Sequence, residues 1–162
     1  MTRSGVPAWR RRLVQLVLGA CLLPITLAAS AQGAAQPPLR EVELTAGIHL
    51  IRAEVADSFP TRQAGLMFRQ KMAASHGMLF VFGTPAGQCM WMKNTLLPLS
   101  VAFIDEQGVI VNIEDMSPQT ENSHCSARPV THALEMNQGW FAGKGIAPGT
   151  RITGLDKAGR PR

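Results

Sequence analysis

No Cys-x-x-Cys pair, no His-Glu-x-x-His and no Gly-x-Ser-x-Gly occurs in these 162 residues. The first two absences remove the commonest metal-ligand spacings. The third removes the nucleophile elbow of the hydrolases, and no histidine is placed by spacing to activate Ser100 or Ser123. There is no internal repeat and no low-complexity block. Basic character is also less than it looks. Lys and Arg number 16 against 11 Asp and Glu, but Arg3, Arg10, Arg11 and Arg12 lie in the first 31 residues, which hold no acid. Beyond them, twelve basic residues face eleven acidic ones, a net charge of +1 scattered along the chain. That excludes the clustered basic footprint of a nucleic-acid-binding surface, so nucleic acid is not an expected partner.

What is present begins with a leader. Arg10 to Arg12 form a positive region, Leu13 to Ala28 is apolar apart from Gln15 and Pro24, and Ala29-Ser30-Ala31 supplies small residues for cleavage before Gln32. Residues 1–31 therefore read as a signal peptide, and the mature protein as exported, to the periplasm, with no stable membrane span after cleavage. An uncleaved anchor is the competing reading, but the run falls short of the ~20 residues a spanning helix needs, and Pro24 interrupts it. Leu18-Gly19-Ala20-Cys21 loosely resembles a lipobox, yet the apolar run continues well past Cys21. Roughly 131 residues remain, enough for one domain with its own core. Residues 32–39 read as a flexible linker, 40–156 as the domain and 157–162 as a disordered tail. Cys21 leaves with the leader, so Cys89 and Cys125 remain. In an oxidising compartment two cysteines can pair, and whether their Cα atoms come within bridging distance is a matter of the fold and not of spacing.

Short apolar runs separated by turn residues predict a mainly β domain, a compact sandwich or distorted barrel of about eight or nine short strands with two short helices. Val42–Leu44 and Ile48–Val55 read as a hairpin about Ala46-Gly47, and Ser58 as the N-cap of a short helix with Pro60 in its first turn. Met78 to Phe82 reads as a buried strand. Asp105 to Gly108 reads as a turn into Val109–Ile113, Thr131–Met136 as a strand, Gln138–Lys144 as a helix, and Thr150–Leu155 as the last strand. Glu114 to Arg128 is polar and long for a connection, hence a candidate functional loop.

The most apolar stretch, residues 89–105, reads CMWMKNTLLPLSVAFID and carries a lysine in its middle. As a strand from Met90 to Thr95, it would place Cys89, Trp91, Lys93 and Thr95 on one face and Met90, Met92 and Asn94 on the other. Both faces would be covered, and Lys93 would need a partner. One reading aims Lys93 into a pocket walled by Trp91, toward an anionic or carbonyl-bearing ligand. The other makes it a salt bridge to Asp105, Glu114 or Glu135, or a lysine whose stem lies on apolar surface with its amine in water. Glu135, in His132-Ala133-Leu134-Glu135-Met136-Asn137, alternates away from His132, Leu134 and Met136. It fits a pocket floor, a packed ion pair or an ordinary solvated face.

Two further chemistries compete. Cys89, Cys125 and His124, with Met90 and Met92, would suit copper as soft ligands, although methionines within apolar runs are ordinary core filler. Glu114 or Asp115 converging with Glu135 would suit a carboxylate pair acting on envelope carbohydrate. The leading reading needs no cofactor. It is a binding module for a small polar or anionic ligand at Trp91, Lys93, Asn94 and Glu135, with no oligomeric state indicated.

Motifs in order across residues 48 to 153 resemble the domain-of-unknown-function family 192: Arg62 with Gly65-Leu66-Met67-Phe68-Arg69, Gly77 through Phe82, Trp91-Met92-Lys93-Asn94-Thr95 with Pro98-Leu99, Phe103-Ile104-Asp105, Gly108, Leu134-Glu135, Asn137, Gly139-Trp140 and Gly145-Ile146. The resemblance implies a compact, mostly β domain and signature positions at Lys93, Asn94 and Glu135, and carries no established activity. This chain departs from the family pattern in having Ser100 where aspartate is common and Thr150 where an acid is common. Tyrosine is absent throughout, and the long loop keeps one cysteine, Cys125, where the family usually has two. Cys89 is then the expected substitute partner for Cys125.

Overall fold

The computed structural model describes Met1 and residues 33–162, so the signal-peptide reading lies outside the described residues. Nine strands and two short helices follow one another: β1 (Glu41–Ala46), β2 (His49–Ala56), α1 (Phe59–Ala64), β3 (His76–Ala86), β4 (Cys89–Met90), β5 (Leu99–Ile104), β6 (Ile110–Met116), β7 (His124–Cys125), β8 (Val130–Asn137), α2 (Trp140–Gly143) and β9 (Ile152–Thr153), with a closing 3-10 turn at Leu155–Ala158. Seven strands form one sheet in the order β6-β5-β8-β3-β2-β1-β9, and β4 pairs with β7 as a separate ribbon. The pairings are antiparallel except β2 with β3. α1 lies on the crossover between those two parallel strands, as a parallel connection requires.

The large sheet curls into a half-barrel. Its two edges meet where Val109 bridges Arg151, and the Ile110 amide donates to the Thr150 carbonyl at 2.9 Å. Edge pairing of this kind removes unpaired strand groups that would otherwise template aggregation. The hairpin about Ala46-Gly47 forms as expected, Ala46 facing His49 across Gly47 at φ +57°. Ser58 caps α1 through a reciprocal pair with Thr61, and Pro60 occupies the first turn.

Strand alternation divides the interior in two. Leu79, Val81, Ala102, Ile104, Leu134 and Met136 pack on one face with Leu44, Ile51 and Phe141. Met78, Phe80, Val101, Phe103 and Ala133 pack on the other with Leu66, Met92 and Met116. β8 runs between β5 and β3, the middle of the hydrophobic layer. Gly77 lets β3 approach it there: a Cβ on Gly77 would sit 2.5 Å from the Glu135 carbonyl oxygen.

One expected strand does not form. Only Cys89 and Met90 pair, and residues 91–98 make turns instead. Pro98 and the left-handed Asn94, at φ +56°, are incompatible with a regular strand there. Conversely, β6 continues to Met116, further than its apolar run suggested. At the ends of the domain, the Gln36 amide donates to the Gly65 carbonyl at 2.8 Å, and the Arg162 guanidinium holds Asp57 at 3.0 Å. Among the described residues, no helix is long and apolar enough to cross a membrane.

Candidate functional site

Three acids are buried, and among the described residues Arg162 holds Asp57 and Arg128 holds Asp105, whereas Glu135 has no basic partner. Its register neighbours are Met78 on β3 and Val101 on β5, both fully buried, and Glu135 itself is 4% exposed. Among the described residues, neither an ion pair nor a hydrogen bond reaches its carboxyl. Burial alone pushes its pKa up to about 8, because the charged form would lose its hydration without a partner. At neutral pH it is therefore a carboxylic acid, with one O–H to donate.

The Glu135 carboxyl faces a recess of about 30 Å³, lined also by Arg62, Gln63, Thr95 and Trp91. That is room for about one or two water-sized groups. Arg62 reaches the recess from the last turn of α1, and its guanidinium donates to the Val81 carbonyl at 3.0 Å. No carboxylate among the described residues pairs with it. Five lining residues, Arg62, Gln63, Phe80, Met90 and Trp91, also line an outer groove of about 350 Å³, so recess and groove are two compartments of one cleft. The groove adds Phe59, Phe82, Gln88 and Cys89. Phe59 is 69% and Trp91 40% exposed, giving the cleft an aromatic rim.

The turn at 91–95 supplies one wall. Met92 is its anchor, fully buried in the core. The Met92 amide donates to the Thr120 carbonyl, the Thr95 amide to the Met92 carbonyl, and the Phe68 amide to the Asn94 carbonyl at 2.8 Å. The Cys89–Cys125 disulfide joins β4 to β7 behind Trp91. Lys93 therefore stands on the outside of a turn and not within a covered strand. Its Nζ is 3.6 Å from Glu121, a partner none of the sequence alternatives named, and 5.3 Å from the Trp91 ring centroid. Asn94 is exposed beside it. Of the four expected site residues, the cleft brings together Trp91 and Glu135, while Lys93 and Asn94 lie outside its lining. Arg62 and Gln63 are the residues that sequence reasoning did not place in the site. Arg62 belonged to the family motifs, but nothing in its spacing aims it at Glu135.

The competing chemistries fare differently. Cys89 and Cys125 share a disulfide, so the copper set with His124 lacks its two thiolates. Among the described residues, no three His, Cys, Asp or Glu side chains converge as a metal site. Glu114 and Glu135 do share a sheet face, but Val101 stands between them in the register and Glu114 does not line the cleft. Asp115 points to the opposite face and accepts from the Ser100 hydroxyl at 2.5 Å.

A mainly β half-barrel with one disulfide-backed cleft is thus the class of protein defined by fold and site. The profile of DUF192, "Uncharacterized ACR", matches residues 42–154, and the chain belongs to that family. It is similar to a proposed transcription regulator from Sinorhizobium meliloti 1021, with 40% identity, a TM-score of 0.65, and coverage of 71% of this chain and 92% of that one. It is also similar to a protein of unknown function from Novosphingobium aromaticivorans DSM 12444, with 32% identity, a TM-score of 0.69, and coverage of 76% and 93%. No curated protein matches the chain.

Proposed function

We propose that this protein is an exported binding module that holds a small polar or anionic ligand in the cleft formed by Arg62, Gln63, Phe82, Trp91 and Glu135. One observation carries the reading: a buried carboxyl that no described residue pairs with lines a small recess, and that recess shares five lining residues with a groove of ligand size. Leaving such a group unpaired costs free energy, and structures keep groups of this kind chiefly where a ligand or water completes them. The Cys89–Cys125 bridge supports the export part, since disulfides persist in oxidising compartments. Nucleic acid is not the proposed partner. The charge beyond the leader is close to balanced and scattered, whatever is proposed for the Sinorhizobium relative.

Beyond the leader the chain has two tryptophans, Trp91 in the cleft and Trp140 at the start of α2, so one reports and the other is an internal reference. Titrating the protein with sugars, sugar acids, amino acids and short organic acids should move the Trp91 indole NMR signal and leave that of Trp140 in place. A panel that moves neither signal, or moves both alike, would remove the binding reading. Mass measurement of the protein secreted from its full-length chain tests export, expected as loss of residues 1–31.

A further inference from the structure

We propose that the head group taken by this cleft is a carboxylate carried on a flat apolar body, with the Arg62 guanidinium and the Glu135 carboxylic acid as its two partners. This rests on the binding reading above and specifies its ligand. Among the described residues, Arg62 and Glu135 are the only ionisable side chains lining either compartment, apart from the bridged Cys89. No salt bridge joins them, and both line the recess, where one bound group can touch each. A guanidinium has five donors in a planar fork, and among the described residues Arg62 finds one acceptor, the Val81 carbonyl. A carboxylate is acceptor-only and matches that fork; its remaining lone pairs can accept the Glu135 O–H.

Other head groups fit less well. A cation would stand beside Arg62 with no countercharge until Glu135 gave up its proton into an apolar setting. A neutral hydroxyl or amide would engage Glu135 yet leave the guanidinium without an anion. A phosphate dianion would bring two negative charges to a cleft whose described lining holds one cation, Arg62. The body is set by the groove: Phe59, Phe82 and Trp91 offer aromatic faces, Gln63 and Gln88 offer amides for polar substituents, and about 350 Å³ limits the ligand to a small molecule.

The test compares four probes with the same ring and different heads: 3-phenylpropionate, 3-phenylpropanamide, 3-phenylpropylamine and phenyl phosphate, each followed through the Trp91 indole signal with Trp140 as reference. The propionate should bind at least about tenfold more tightly than the other three, the lower end expected for a hydrogen bond to a charged group. Arg62→Met should abolish that advantage. Arg62→Lys, which keeps the charge but not the fork, should reduce it and covers the case in which the methionine variant does not fold. Glu135→Leu removes the donor and should weaken propionate binding by about tenfold, whereas Glu135→Gln, which keeps a donor, should weaken it less. Tighter binding of the amine, lost in Glu135→Gln, would overturn the carboxylate assignment while leaving the cleft a binding site. Equal binding of all four would do the same. Silence of Trp91 toward all four also overturns it, and the broader panel then decides whether the cleft binds anything.

Discussion

Lys93 sits on the outer side of a turn with its side chain 44% exposed, facing Glu121 across 3.6 Å and the Trp91 ring across 5.3 Å. Glu135 sits mid-strand with 4% of its surface exposed and, among the described residues, no salt bridge. Both are ionisable groups set in apolar sequence, Lys93 between Met92 and Asn94 and Glu135 between Leu134 and Met136. Local hydrophobicity does not distinguish them; the backbone does. β8 is flanked by β5 and β3, so a side chain on its inner face has no route to water except a cavity. The 91–95 segment bends, so a long side chain at its tip reaches solvent however apolar its neighbours are.

The largest consequence of that difference is a pH dependence carried by Glu135. Its folded pKa of about 8 lies above the ordinary carboxyl value of 4.5. Between those values the folded state holds a proton that the unfolded state has lost, so stability is full below the lower value and falls as pH rises through the upper one. The drop is on the order of 5 kcal/mol across the window. His132 works the other way: burial lowers its pKa, so its contribution is lost as pH falls through the imidazole range. Comparing wild type with Glu135→Gln by denaturant unfolding at pH 5 and pH 9 isolates the carboxyl, and the variant should lose most of the decline. Equal slopes in the two proteins would mean that Glu135 has a partner, and the contrast with Lys93 would collapse.

Next in size is the bridge that holds the Lys93 side of the cleft. Cys89 and Cys125 are 36 residues apart, and opening a loop of that length costs about 3–4 kcal/mol in the chain-entropy model. Reduction should lower Tm and remove hydrogen-exchange protection from residues 89–95 and 118–125. The amides of β3 and β8 around Glu135 should exchange as before. Uniform loss of protection would show that the two sides of the cleft are one cooperative unit.

Much of this was legible in the residues. Turn chemistry placed the hairpin at Gly47, the cap at Ser58 and the turn before Gly108, and alternation put Glu135 on the face opposite Leu134 and Met136. What alternation does not carry is whether that face is covered, because the cover comes from α1 and the 91–95 turn, distant in sequence. The same gap hid Arg62, whose approach to Glu135 depends on how α1 lies on the sheet. The strand expected at 90–95 failed for a local reason: β-forming Trp and Thr outnumbered a single Asn, yet Asn94 in the left-handed region and Pro98 decided the path.

A smaller effect tests that path directly. Asn94→Gly should change stability by less than about 1 kcal/mol, since glycine adopts the left-handed conformation without a Cβ clash. Asn94→Val should destabilise by about 1–2 kcal/mol, because a β-branched residue is strained there. Thermal unfolding of the two variants reads the difference, and equal behaviour would argue against the turn.

The smallest expected effect belongs to Lys93, and it completes the contrast with Glu135. The pair with Glu121 is solvent-exposed at both ends, 44% and 65%, a setting in which an ion pair contributes no more than about 1 kcal/mol. Lys93→Met should therefore leave Tm almost unchanged and, because Lys93 does not line the cleft, leave 3-phenylpropionate affinity within about twofold, or roughly 0.4 kcal/mol. What it should change is Trp91: with the cation gone from its face, the Trp91 indole signal should shift in the unliganded protein while Trp140 stays fixed. A tenfold loss of propionate affinity with the fold intact would instead make Lys93 part of the binding site, reached by a movement of the turn that brings its ammonium over the groove. In that event Lys93 and Glu135 would act on one ligand, and the division between an exposed charge and a buried one would hold only before that ligand binds.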